Sequence, residues 1–309
     1  MKYIVTGGAG FIGSHIIDRL LKNNNEVICL DNLSTGKLEN IKHNEGNKNF
    51  KFIVKDLLEF QGISEIFRGS DAIFHFAANA DIRGGVAQPR KDLELNTIVT
   101  YNVLEGMRLA NVKKIIFSSS SAVYGEPEIY PTCEDYPLIP TSLYGASKIA
   151  CEALISAYCA SFNLQAWIFR LVGVIGARHS HGVIFDFVNK LKMNPKELEI
   201  IGNGEQVKSF LALEDCIDGI MFAYEKANKK INIYNLGTDE DIKIKKLADI
   251  VVEELNLKNV KYRFTGGIRG WVGDAPVVRL SIERIKKLGW EPRVGIEEAI
   301  RRTVTWLKR

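Results

Sequence analysis

Tyr144 and Lys148 stand four residues apart in Ser142-Leu143-Tyr144-Gly145-Ala146-Ser147-Lys148, a spacing that puts both on one face of a helix. An ammonium beside a phenol favours the phenolate, so such a pair can take and return a proton at working pH. Upstream, Ser118-Ser119-Ser120-Ser121 closes an apolar run, and a hydroxyl there can share a substrate proton with Tyr144. A second chemistry-bearing run is Thr6-Gly7-Gly8-Ala9-Gly10-Phe11-Ile12-Gly13, with Gly7, Gly10 and Gly13 three apart. Between a strand and a helix these glycines give a tight bend, close backbone approach to a pyrophosphate, and close helix packing.

Those residues need a scaffold, and the chain supplies one. Lys2–Thr6, Glu26–Leu30, Phe50–Val54, Ala72–Phe76 and Lys114–Ser118 read as strands apolar on both faces, separated by helical patterns such as Ser14–Lys22 and Asn96–Ala110. A helix over about Leu143–Ala160 and a strand near Gln165–Leu171 continue the alternation. The expected fold is α/β, a Rossmann-like doubly wound parallel sheet with a smaller carboxyl-terminal α/β domain. Residues 1–177 form the dinucleotide-binding domain, joined again by a returning segment of about 212–240. Residues 178–309 supply mainly the substrate domain.

The second strand ends at Asp31, eighteen residues after Gly13, where a carboxylate accepts hydrogen bonds from an adenosine ribose. Asp31 would repel a ribose 2′-phosphate and no arginine follows it in Asn32-Leu33-Ser34, which favours NAD over NADP. Ser34-Thr35-Gly36-Lys37 is not the end of an NTPase phosphate loop, because Asp31 and Leu38 replace the Gly and Ser/Thr that motif requires.

Composition narrows the class. The 309 residues are 46% hydrophobic and 25% charged, as in globular proteins, and 41 basic against 37 acidic residues give a net charge of only +4. Neither a nucleic-acid partner nor a membrane segment is indicated, and a cytoplasmic protein is expected. Five cysteines without a CxxC pair argue against a disulfide framework or a zinc site, so no metal is expected.

Taken together, these motifs resemble the extended branch of the short-chain dehydrogenase/reductase superfamily, the nucleotide-sugar epimerases and dehydratases. The match also includes Asp31-Asn32-Leu33, Asp56-Leu57, His75-Phe76-Ala77-Ala78, Asn96-Thr97 and Arg269-Gly270-Trp271-Val272-Gly273-Asp274. Within the branch the chain is most similar to short prokaryotic and archaeal forms of UDP-glucose 4-epimerase. The resemblance implies that Gly7, Gly10, Phe11 and Ile12 hold the pyrophosphate of NAD. Asp31, Asn32, Thr35 and Gly36 would hold its adenosine ribose, and Asp56 with Leu57 the adenine. Phe76, Ala77, Ala78, Asn96, Ser118, Tyr144, Lys148 and Val172 would complete the cofactor site. Tyr144 is implied as the base, Ser120 as its hydroxyl partner, and Lys148 as the cation that lowers the phenol pKa.

A UDP-sugar substrate is implied to lie against Ser120, Tyr144, Val183, Phe185, Gln206, Lys208, Arg269 and Asp274. The reaction implied is interconversion of UDP-galactose and UDP-glucose through a 4-keto sugar. Epimerisation of UDP-GlcNAc or a UDP-uronic acid is the alternative, and a non-catalytic NAD sensor is the alternative of another class. Dehydration is disfavoured because Ser121 and Ala122 stand where the 4,6-dehydratases carry an Asp-Glu pair. The chain departs from the family at Arg170-Leu171-Val172-Gly173, where Gly173 replaces a substrate-binding asparagine and a neighbour such as Arg178 would have to compensate. A homodimer through the helices near Asn96–Ala110 and Leu143–Ala160 is implied by the same resemblance.

Overall fold

A computed structural model describes residues 1–309. The first half alternates β1 (Lys2–Thr6), α1 (Phe11–Lys22), β2 (Glu26–Asp31), β3 (Phe50–Val54), α2 (Ile63–Phe67), β4 (Ala72–His75), α3 (Pro89–Asp92), α4 (Val99–Ala110), β5 (Lys114–Ser120), α5 (Leu143–Phe162) and β6 (Gln165–Leu171). The second half comprises β7 (Gly173–Ile175), α6 (Val183–Met193), β8 (Glu197–Ile200), β9 (Val207–Lys208), β10 (Phe210–Ala212), α7 (Leu213–Lys226), β11 (Ile231–Leu236), β12 (Ile242–Lys243), α8 (Ile244–Glu254), β13 (Lys261–Phe264), β14 (Val277–Val278), α9 (Glu283–Lys286) and α10 (Ile296–Leu307).

Seven strands form one parallel sheet in the order β3-β2-β1-β4-β5-β6-β11. The order reverses between β1 and β4, so a crevice opens at the carboxyl ends of these two strands, where open α/β sheets bind ligands. Side chains alternate between two cores: Tyr3 and Val5 of β1 face α1 and α7, whereas Ile4 faces α2, α4 and α5. Both faces are therefore apolar, which is why these strands read as continuous hydrophobic runs.

A third core joins α6, β8, α8 and α10 through Phe187, Leu191, Leu198, Leu247, Val251 and Ile300, and forms the smaller carboxyl-terminal unit. Three small sheets, β10-β7, β12-β9-β14 and β13-β8, connect it to the mouth of the crevice. No helix is long and apolar enough to cross a membrane.

Element ends differ from expectation where side chains, not periodicity, decide. The helix expected from Asn96 begins with a π-helical turn over Leu93–Ile98 before the regular Val99–Ala110. β5 runs two residues further, to Ser120, because Ser119 and Ser120 still pair with Arg170 and Leu171 of β6.

Candidate active site

A cleft of about 1070 Å³ runs along the carboxyl edge of the sheet and between it and the smaller unit. At one end the glycine turn is held by interlocking backbone. Gly7 (φ +65°) donates its N–H to Leu30 O at 2.8 Å, and a Cβ on it would stand 2.6 Å from Ala77 N. A Cβ on Gly13 would meet Gly7 O at 2.3 Å. Gly10 caps α1 with no side-chain acceptor, so the first N–H groups of α1 face the cleft free to receive an anion.

Asp31 is almost fully buried behind this turn and accepts from Ala9 N at 3.0 Å and Leu33 N at 2.8 Å. Burial raises its carboxyl pKa while the two backbone donors act in the other direction. Thr35 and Gly36 lie beside it on the cleft wall, with Asn32 donating to Asp56 at 3.2 Å. Uncapped helix, bulk-free turn and ribose-side carboxylate fit a dinucleotide pyrophosphate and its adenosine.

The proton-handling residues lie farther along. Ser142 caps α5 by accepting from Gly145 N at 3.1 Å, which fixes Tyr144 and Lys148 in the first turns of that helix. The Ser120 hydroxyl lies close enough to Tyr144 to favour its phenolate, and it accepts from Ala122 N at 3.2 Å. Lys148 is buried; its Nζ donates to Ser118 O at 2.9 Å and lies 5.7 Å from the centre of the Tyr144 ring.

With the cleft walls as its only surroundings, burial pushes Tyr144 up to about 12, and the neighbouring Ser120 offsets only part of that. Lys148 is itself shifted downward by burial, and one of its three N–H donors goes to the Ser118 carbonyl. A further positive charge beside the phenol would favour its ionised form.

Every expected cofactor residue lines the cleft except Asn96. Asn96 is buried behind the wall, where it accepts from Asn79 N at 2.8 Å and donates to Ser147 at 2.8 Å; Ser147 in turn donates to Tyr144 O at 2.7 Å. It lies in the π-helical turn and braces the first turns of α5 through Ser147. Val183, Gln206, Lys208 and Asp274 also line the cleft, but Phe185 and Arg269 do not. Phe185 packs against the third core, and Arg269 is taken by Glu126 outside the cleft. Lys208 is paired with Asp274 at 2.7 Å and also donates to Ala275 O, so part of its charge is already committed.

Arg178 does not replace the missing asparagine: it pairs with Asp18 at 2.9 Å and is absent from the cleft lining. Its neighbour His179 does line the cleft, with its ring 5.1 Å from that of Phe11, and the sequence pattern did not single it out. Also unanticipated is a buried network in which Arg170 pairs with Glu152 at 2.7 Å and donates to Tyr124 at 2.9 Å. Ser119 donates to the same Glu152 at 2.5 Å, so β5, β6 and α5 are cross-linked beneath the catalytic groups.

A family model described as the NAD dependent epimerase/dehydratase family matches residues 3–237. A putative UDP-glucose 4-epimerase of Methanocaldococcus jannaschii is 35% identical over 99% of this chain and 98% of its own length. The UDP-glucose 4-epimerase of Thermus thermophilus, solved in complex with NAD, superposes with a TM-score of 0.89 at 33% identity, over 100% of this chain and 99% of that one. A UDP-N-acetylglucosamine 4-epimerase from Methanobrevibacter ruminantium, solved with UDP-N-acetylmuramic acid, also gives 0.89, at 32% identity over 99% and 98% of the two chains.

Proposed function

The chain belongs to the NAD dependent epimerase/dehydratase family, is an NAD-dependent enzyme, and from that premise we propose that it interconverts UDP-galactose and UDP-glucose. The observation that carries this reading is the Tyr144–Ser120 hydroxyl pair beside Lys148, in the same cleft as the glycine turn, with Ser121 and Ala122 where dehydration would need an acid and a base.

In this reading Gly7, Gly10, Phe11 and Ile12 hold the cofactor's pyrophosphate, and Asp31, Thr35 and Gly36 its adenosine ribose. Bound NAD supplies a hydride acceptor at C4 of the sugar and a hydride donor to the opposite face of the resulting 4-keto sugar. Tyr144 removes the proton of the sugar 4-hydroxyl and later returns it. Ser120 hydrogen-bonds the same oxygen and keeps it against Tyr144. Lys148, anchored on Ser118 O, supplies the fixed positive charge behind the phenol. Val183, Gln206, Lys208 and Asp274 hold the UDP while the sugar turns over.

Two copies would associate through α4, the π-helical turn before it and α5, where Ile98, Tyr101, Leu109 and Phe162 are exposed. Sedimentation of the wild type as a monomer would remove that part of the reading.

The test is incubation with UDP-galactose, with and without added NAD, following UDP-glucose by chromatography and NADH by absorbance. UDP-glucose without net NADH is expected. Conversion of UDP-GlcNAc or a UDP-uronic acid, with UDP-galactose untouched, would transfer the same chemistry to that sugar. NAD binding with no conversion of any UDP-sugar would leave a sensor and overturn the catalytic reading.

A further inference from the structure

Between β13 and β14 the chain runs over the mouth of the cleft as the segment Thr265–Ala275. Gly266, Gly267 and Gly273 have φ of +85°, +82° and +90°, so glycine sits where the backbone bends at both ends of the segment. Gly270, Trp271, Gly273, Asp274 and Ala275 face the cleft, while Ile268 and Val272 are 61% and 76% exposed.

Three side chains fasten this strap. Lys208 holds Asp274 at 2.7 Å, and Thr141 donates to Gly273 O at 3.0 Å. The third is Glu126, which takes Arg269 through both oxygens, Nε to Oε1 at 3.0 Å and Nη2 to Oε2 at 2.8 Å. Of the two ion pairs this last is the one open to water, with side chains 45% and 33% exposed against 16% and 13% for Lys208 and Asp274.

A guanidinium fork accepts a carboxylate and a phosphate with the same bidentate geometry, and an exposed ion pair is held weakly. Inside the cleft Lys208 is already paired with Asp274, and a lysine offers a point charge and no fork. Arg269 is the neighbour of Gly270 in the lining, on a glycine-hinged segment.

We propose that Glu126 is the resting partner of Arg269, and that the substrate's diphosphate takes the Arg269 fork from the Glu126 carboxylate as the strap settles over the cleft. Glu126 is thus a positioning residue: it sets the cost of closure and with it the affinity for the nucleotide. The inference rests on the UDP-sugar reading above, because the diphosphate is the competitor.

The experiment is calorimetric titration of UDP, with NAD as control ligand, into the wild type, Glu126→Gln, Arg269→Ala and the double variant. Glu126→Gln should bind UDP about three- to fivefold more tightly, since the competing exposed pair is removed. Arg269→Ala should bind it about tenfold more weakly. In the Arg269→Ala background Glu126→Gln should change nothing, and NAD affinity should be the same in all four proteins.

A Glu126→Gln variant whose UDP affinity is unchanged or weaker overturns the proposal, as does an effect that persists without Arg269. UDP binding that follows the expected pattern with no turnover of any UDP-sugar leaves the exchange standing and removes the epimerase reading. Turnover with UDP affinity indifferent to Glu126 does the reverse. A wild type that binds no UDP overturns both.

Discussion

The ring of Phe210 fills the space into which a side chain on Gly173 would project: a Cβ there would stand 2.8 Å from Cδ1 and 3.0 Å from Cε1. The space in which the family resemblance puts a substrate-binding asparagine is here occupied by an aromatic ring from a different strand. Restoring it is therefore not a gain. Gly173→Asn should lose about 1–3 kcal/mol of stability through overpacking, with UDP affinity no better than wild type. Gly173→Asn with Phe210→Ala should recover most of that loss. Urea denaturation of the three proteins checks this, and a single variant as stable as wild type would show that Phe210 moves aside freely.

Tyr144→Phe should lower turnover on the order of a thousandfold while NAD still binds. Burial, only partly offset by Ser120, puts the phenol at about 12, so the difference spectrum between wild type and Tyr144→Phe should show no phenolate below about pH 10 without cofactor. Adding NAD brings a cation to the phenol and should move its titration to lower pH. Activity should accordingly rise with pH on the acid side, where more Tyr144 is ionised. A phenolate signal that ignores NAD would remove Tyr144 from the role of base.

Asp31 supports the site twice, as the ribose-side carboxylate and as acceptor for Ala9 N and Leu33 N. Asp31→Ala should weaken NAD and narrow its preference over NADP, but should also cost about 1–3 kcal/mol of stability because two backbone donors lose their partner. Asp31→Asn removes the charge but keeps an acceptor for one of the two donors, since Ala9 N and Leu33 N use different carboxylate oxygens, so it should lose less stability than Asp31→Ala. Calorimetry with both dinucleotides gives the readout; unaltered discrimination in both variants would contradict the assignment.

His75 is fully buried between Thr6, at 2.7 Å from Nδ1, and Thr100, at 3.1 Å from Nε2. Burial, and then the nearby Lys148, push its pKa down to about 3, whereas the unfolded chain has about 6.5. The folded state thus keeps His75 neutral: its contribution to stability is whole above about pH 6.5 and is lost as pH falls toward about 3. The expected slope is about 1.4 kcal/mol per pH unit in that window. His75→Asn should be less stable at pH 7 but flatter between pH 6 and pH 4. Equal slopes in the two proteins would show that His75 is not the group being charged.

What sequence made legible was whatever depends on local spacing. Gly7, Gly10 and Gly13 can serve only a bend and a close approach, and Tyr144 and Lys148 share a helix face by arithmetic, so both sites were readable before any fold was known. Strands buried on both faces announced the parallel sheet for the same reason. Direction of a side chain was not legible where a distant partner sets it. Asn96 is held inward by Asn79 and Ser147, and Arg269 is claimed by Glu126 from a remote loop. The Phe210–Gly173 contact likewise exists only once β10 has paired with β7.

The interlocked glycine turn also matters outside the reaction. Gly7 is shaped by Leu30 of β2 and by the Phe76–Ala77 backbone after β4, so the anion cradle does not exist until those strands have docked. A dinucleotide can then recognise only the finished molecule, and at a concentration a hundred times its dissociation constant it adds about 2.7 kcal/mol to the native state. Depletion of the dinucleotide would therefore remove stability from the native protein itself, and its resistance to unfolding should follow the ligand concentration.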